Sequence, residues 1–389
     1  MSGGGGYGEL VEGERGKSIV VQLDAYALPD DHTVWKCSPG KTYRFYTAVR
    51  DAYTVFPDIR GLTELGGGPS EWTLESLLQA VSNDRWEREL ERMARGRSPQ
   101  SQPGITKADK EKLTFARRIW FEAKKGDLVV IPAEGYDKEV LIGELLTEPG
   151  DLRWIDAKDG EFEGKYIGRP VAWKRSIPKF QLNEDLIKAL HTRAAVFPLR
   201  ESRKEDVYRL AYRNFVYKGN YVAEFHTEKE RFTAEDSAVV STWLNGFDYL
   251  RHVLSETGVD NLPAQMSFYQ MGLEPVPDSD SAELKINIQS PGEIFVKTFG
   301  PFALALMCML PLSACSPQAV IDNNVTIEMN YVGNADASCE VLVRDTVKSM
   351  VGTMSYNRLD EANCLGVRAM NDAQLSTRAH LKNQPETSN

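Results

Sequence analysis

Lys-Lys-Gly-Asp-Leu-Val-Val-Ile-Pro (Lys124–Pro132), Val-Leu-Ile-Gly-Glu-Leu-Leu (Val140–Leu146) and Tyr-Ile-Gly-Arg-Pro-Val-Ala-Trp-Lys-Arg (Tyr166–Arg175) are three short apolar runs set between turn-formers. Each carries β-branched residues, so they read as strands of a small antiparallel barrel or sheet. Gly126-Asp127 suits the tight corner where a preceding helix stops and the first strand begins. Leu128, Val129, Val130 and Ile131 are apolar on both faces of that strand, which predicts burial on both sides, as in a closed barrel.

Upstream, Thr106 with Asp109 resembles a capping box and opens a helix carrying Leu113, Ala116, Ile119 and Trp120 on one face. Ser70 can cap an earlier helix through Trp72, Leu74, Leu77, Leu78 and Val81. The ordered pieces Gly-Asp-Leu-Val-Val-Ile-Pro, Ile-Gly-Glu and Arg-Pro-Val-x-Trp resemble the PUA-like (EVE/YTH-type) domain in the N-terminal halves of Mrr-like and other modification-dependent restriction proteins. Val34-Trp35, Gly40 and Tyr53-Thr54-Val55-Phe56-Pro57-Asp58 look like its opening strands, so the similarity spans about Val34 to Glu201. The resemblance implies a β-barrel with a helical insert that holds a flipped, often modified base in an aromatic-walled pocket. It places Tyr53 and Phe56 at the pocket wall and Trp154 in the variable loop that can cover the pocket.

Working outward, the expected class is α+β: residues 1–17 a flexible lead, 18–201 the PUA-like reader and 202–274 a helical and hairpin connector. Residues 275–371 form a smaller C-terminal α+β domain, and 372–389 a frayed tail. Pro275–Asp280 is the boundary in the second half. A Ser202/Glu205 capping box opens one connector helix. Phe215–Phe225 reads as a hairpin, and Thr233–Gly258 as a long helix capped by Thr233/Asp236. Strands are expected at Leu284–Ile288, Glu293–Thr298 and Val325–Val332, with a helix at Ser338–Met354.

The net charge of −10 and pI of about 5.3 argue against a protein that coats nucleic acid indiscriminately. Charge is nevertheless uneven: Glu161 to Asn220 holds 13 basic residues against seven acidic ones, a net +6, leaving −16 for the rest. Five scattered cysteines without Cys-x-x-Cys read as free thiols of a reducing cytoplasm. The glycine-rich N-terminus has no basic n-region or apolar core, so it does not read as a secretory signal. The uncharged run Thr298–Ile321 is interrupted by Pro301, Pro311 and Pro317, which leaves too short an apolar core to span a membrane. It reads as a buried helix.

Candidate base-binding residues are Trp35, Tyr53, Phe56 and Trp154, in an aromatic cluster with Trp120 and Trp173. A base stacked on such rings gains about 1–3 kcal/mol. Aromatic residues at strand positions serve equally well as core. Arg169, Lys174 and Arg175 are the candidate phosphate contacts, with a solvated basic face as the alternative. Two readings follow. One is a DNA-binding protein of a restriction or anti-phage defence system, with RNA the open alternative and the C-terminal domain coupling to an effector or oligomerising. The other is a Mg²⁺-dependent endonuclease with a diverged PD-(D/E)xK site, using Asp278 or Asp280 with Glu283 and Lys285. No Walker loop, Gly-x-Gly-x-x-Gly, Gly-x-Ser-x-Gly or His-Glu-x-x-His occurs, so no catalytic residue, metal ligand or cofactor is assigned. Asp30-Asp31-His32, the one metal-like triplet, is best explained as a surface turn.

Overall fold

The computed structural model describes residues 18–382 except 60–61, 99–103, 136, 160–161, 257–261, 278–280 and 288–291. The chain is mixed α+β and divides into two compact units. One is continuous, residues 31–212; the other joins residues 1–30 to 213–389.

The first strand, β1 (Ser18–Ala27), belongs to the discontinuous unit. The continuous unit follows with β2 (Val34–Cys37), α1 (Tyr46–Asp51), β3 (Thr54–Val55), α2 (Leu74–Ala94) and α3 (Lys107–Ala116). It continues through β4 (Leu128–Ile131), β5 (Glu139–Leu145), β6 (Arg153–Asp159), β7 (Phe162–Pro178), α4 (Glu184–Leu190), β8 (Val196–Pro198) and α5 (Glu201–Tyr212). The sheet order is β3-β7-β5-β4-β2-β8, with β6 also paired to β7. All pairs are antiparallel except β2 with β4. Among the described residues no pair joins β8 back to β3, so the expected closed barrel is a curled, open sheet.

The quoted motifs have clear structural work in this sheet. All four residues of β4 are buried. Asp127 is buried too, and its carboxylate accepts from the backbone N–H of Thr33 and of Lys124, each at 2.9 Å, and from Trp35 Nε1 at 3.0 Å. A Cβ on Gly143 would lie 2.6 Å from the Trp173 ring, and one on Gly168 would lie 2.3 Å from the Val55 carbonyl. Both glycines therefore let neighbouring groups approach more closely than any side chain permits. The Thr106/Asp109 capping box forms as expected, whereas α2 is capped by Thr73 with Ser76 rather than by Ser70. Ser202 lies inside α5, which starts at Glu201, so it does not cap that helix.

In the discontinuous unit, β1 is followed by β9 (Phe215–Tyr217), β10 (Asn220–Thr227), α6 (Ala234–Glu256), α7 (Phe268–Met271), β11 (Glu283–Asn287) and β12 (Gly292–Phe299). Then come α8 (Phe302–Leu312), α9 (Pro317–Asp322), β13 (Asn324–Tyr331), α10 (Ser338–Thr353), α11 (Tyr356–Asn371), β14 (Leu375–Thr377) and β15 (Ala379–Leu381). The sheet runs β11-β12-β10-β9-β1-β13, with β14 on β10 and β15 on β1. Every residue of α8 except Pro311 is buried. An eleven-residue helix with no polar side chain can only sit inside a core. No helix among the described residues is long and apolar enough to cross a membrane.

This partition corrects the expected boundaries. β1 pairs in parallel with β13 and β9, so it sits in the discontinuous unit's sheet and not with residues 31–201 as expected. The expected connector is split, because α5 closes the continuous unit while the hairpin and α6 belong to the other. Pro275–Asp280 falls inside the discontinuous unit and divides nothing. The expected tail contains β14 and β15, which are paired in the sheet, while residues 383–389 and the lead 1–17 lie outside the described residues.

Candidate nucleic-acid interface

Two of the four expected base-binding rings are closed into the core of the continuous unit. Phe56 is 1% exposed, with ring centroids 5.5 Å from Phe45 and 5.1 Å from Tyr166. Trp35 is also buried, its indole N–H used by Asp127. A base cannot stack on either without unpacking the unit. Tyr53 and Trp154 are exposed. Tyr53 stands next to β3 and Trp154 on β6, both strands paired with β7, and Trp154 packs edge-on against Trp72 at 6.3 Å. Trp120 is fully buried; Trp173 is half-buried and donates to the Arg50 carbonyl at 2.9 Å.

The expected phosphate contacts also fall differently. Arg169 is wholly buried and donates to the Ile119 carbonyl at 3.1 Å and to those of Ala123 and Thr147. Burial pushes its guanidinium down to about 10. It is a structural cation inside the sheet, unable to reach phosphate. Lys174 is held by Glu144 at 3.0 Å and lies over the Tyr212 ring. Arg175 is half-buried on β7 opposite Ile142. The Asp30–His32 triplet is not simply a surface turn: His32 is buried, with its ring nitrogens 3.0 Å from Tyr208 Oη and 3.0 Å from the Gly126 carbonyl. Glu283 is exposed on β11; Asp278, Asp280 and the Lys285 side chain lie outside the described residues.

A cavity of about 560 Å³ opens elsewhere in the same unit, and the segment after Phe56 forms part of it. Four stretches build it: 38–43 after β2, Pro57–Asp58 after β3, the exposed face of α3, and 191–195 after α4. Tyr43, half-buried, supplies its aromatic surface, while Phe115 touches the cavity from the core and is only 3% exposed. Thr42 and Tyr43 both have left-handed backbones, φ 53° and 56°. Two consecutive non-glycine residues in that region are strained, of order 1–3 kcal/mol each, and such strain gathers at binding sites.

Charge at the cavity is set by a ring of ions beneath it. Arg44 and Arg88 both pair with Asp58, Arg88 also reaches Asp84 at 2.9 Å, and Lys112 faces Asp84 at 3.5 Å. Lys112 and Asp58 of this ring also line the cavity itself. Burial pushes the Asp58 carboxyl up, but Arg88, Lys112 and Arg44 outweigh it and hold it below its ordinary value. Burial, then the charge of Arg88, lowers the Lys112 ammonium. At the mouth, His191 and Arg193 are exposed, opposed by Glu111 of α3. The 191–195 stretch is anchored from behind by the buried Lys36, whose ammonium donates to the carbonyls of Thr192 at 3.2 Å and Ala194 at 2.7 Å. Burial pushes that amine down to about 8.

None of the cavity residues Thr42, Tyr43, Phe115, His191 or Arg193 is singled out by sequence spacing. The nearest signal was Phe56-Pro57-Asp58, whose ring points into the core while the next two residues line the opening. In comparisons with family models, curated proteins and solved structures, the chain matches none.

Proposed function

We propose that residues 31–212 form a PUA-like reader that takes a single nucleobase into the cavity against Tyr43. In that reading the base stacks on the Tyr43 ring. Arg193 and His191 meet the flanking phosphates. The observation that carries the reading is the cavity itself, of a size that suits a small molecular group and lined by the Tyr43 ring together with Lys112, His191 and Arg193. Extruding a base costs a few kcal/mol, and stacking at about 1–3 kcal/mol together with phosphate contacts can offset this. DNA is the proposed ligand, in the restriction or phage-defence setting that the PUA-like resemblance implies.

Fluorescence anisotropy with plain, methylated and hydroxymethylated DNA duplexes, and with matching RNA, tests it. The wild type is expected to prefer one modified DNA. Tyr43→Ala is expected to erase the preference, whereas Arg193→Glu weakens every duplex alike and reduces the salt dependence. Equal affinity of wild type and both variants for all duplexes would overturn the proposal, and preference for RNA would move the ligand class.

A further inference from the structure

The discontinuous unit carries an arrangement that a base reader does not use. On β10, Glu224 and His226 are two residues apart and share a face of the sheet. The intervening Phe225 points the other way, into the core, as does Ile294 on β12. Glu293 of β12 pairs directly opposite His226 and so stands beside it on the same face. One ligand atom from each of the three residues lies within 4.8 Å of the other two.

We propose that Glu224, His226 and Glu293 bind a first-row divalent cation, Zn²⁺ or Mn²⁺. Two ligands held about 2.1 Å from a metal sit ~3.4 Å apart in a tetrahedron and ~4.2 Å apart when opposed. The observed spacing therefore needs only a small inward turn of the side chains. Among the described residues, no hydrogen bond or ion pair joins the His226 ring to either carboxylate, and its Nδ1 is closed to solvent without a partner. Glu224 is buried, and Arg213 Nη1 holds one of its oxygens at 2.9 Å, which orients the carboxylate as an outer partner orients a metal ligand. An imidazole with two carboxylates is a nitrogen–oxygen donor set suited to Zn²⁺ or Mn²⁺ rather than to thiolate-seeking metals. Three protein ligands leave coordination positions open to water or to an anionic oxygen.

The reading is independent of the base cavity, which lies in the other unit, so either can fail alone. The full chain, stripped with chelator, is titrated calorimetrically with Zn²⁺ and with Mn²⁺, alongside Glu293→Gln and His226→Gln. The expected result is one equivalent bound by the wild type, with affinity reduced about 10-fold or more in each variant. Each variant should keep the melting temperature of the metal-free wild type. Co²⁺ loading should give ligand-field bands without thiolate charge-transfer absorption, separating this trio from the five cysteines. Failure of the wild type to bind either metal, or wild-type affinity retained in both variants, would overturn the site. A variant that melts early is replaced by His226→Asn, judged by the same criterion.

Discussion

Replacing Phe56 with alanine separates the core role from the pocket role of this ring. The side chain is 1% exposed and packs between Phe45 and Tyr166. Truncating a buried phenylalanine costs about 3–5 kcal/mol in lost transfer energy and cavity. Residues 31–212 form a compact unit, and in units of this size each kcal/mol moves the melting temperature by about 2–4 °C. Phe56→Ala should therefore melt about 6–20 °C below the wild type, followed by circular dichroism. Tyr43→Ala removes a half-buried ring at the cavity and should cost under ~1 kcal/mol of stability. Its cost should instead appear in nucleic-acid affinity, about 1–3 kcal/mol. Well below its own melting point, Phe56→Ala should bind as the wild type does. A Phe56→Ala protein that melts within ~2 °C of wild type yet loses base preference would refute the reasoning, because the ring would then be facing ligand.

Arg169→Met removes the donor from three internal carbonyls and should cost about 3–5 kcal/mol in urea unfolding. A loss under ~1 kcal/mol together with a tenfold drop in nucleic-acid affinity would instead return Arg169 to a phosphate role. His32 and Asp58 give the continuous unit two acid-sensitive limbs. Burial holds the His32 imidazole below its ordinary 6.5, against the opposing pull of Asp127. Below pH 6.5 the unfolded chain then takes up a proton that the fold refuses, so stability present above that pH is lost as pH falls. Asp58, held below 3.8, adds stability that is complete above that value and is lost as pH falls through the lower folded one. His32→Asn should flatten the first limb and Asp58→Asn the second, measured as unfolding free energy against pH; unchanged slopes would contradict both assignments. Asp127→Ala leaves two backbone N–H groups and the Trp35 indole without their acceptor and should destabilise by about 3–5 kcal/mol in the same urea assay, whereas a value near zero would show that water replaces the carboxylate.

The sequence was most legible where local pattern and burial agree. β4 reads from four consecutive apolar residues, α3 and α6 from Thr/Asp capping boxes, and α8 from its lack of any polar side chain. It was least legible where partners are distant. β1 was grouped with its chain neighbours, yet its partner β13 lies some three hundred residues away. β14 and β15 are three residues each, too short to carry a periodic signal, and acquire strand geometry only by pairing with β10 and β1. The second helix of the C-terminal pair, α11, gives no capping-box start signal between the helix before it and the polar end.

The candidate site divides along the same line. Aromatic residues near the motif are visible, but which face they take is not: Trp35 turns inward because β2 is buried on both faces, and Phe56, just past β3, packs on Phe45 and Tyr166. The cavity gathers residues from four stretches spread over some 150 positions. Its left-handed Thr42 and Tyr43 run against local propensity, so no spacing rule reports them. The proposed trio is similar, with Glu224 and His226 two residues apart and Glu293 supplied across a ladder.

Photocrosslinking tests the central claim most directly. A DNA duplex carrying 5-iodocytosine or 5-iodouracil at the recognised position is irradiated with the full chain, and the crosslinked peptide is identified by mass spectrometry. The expected adduct is on Tyr43 and is lost in Tyr43→Ala. Adducts confined to Tyr53 or Trp154, or to residues 213–389, would contradict it.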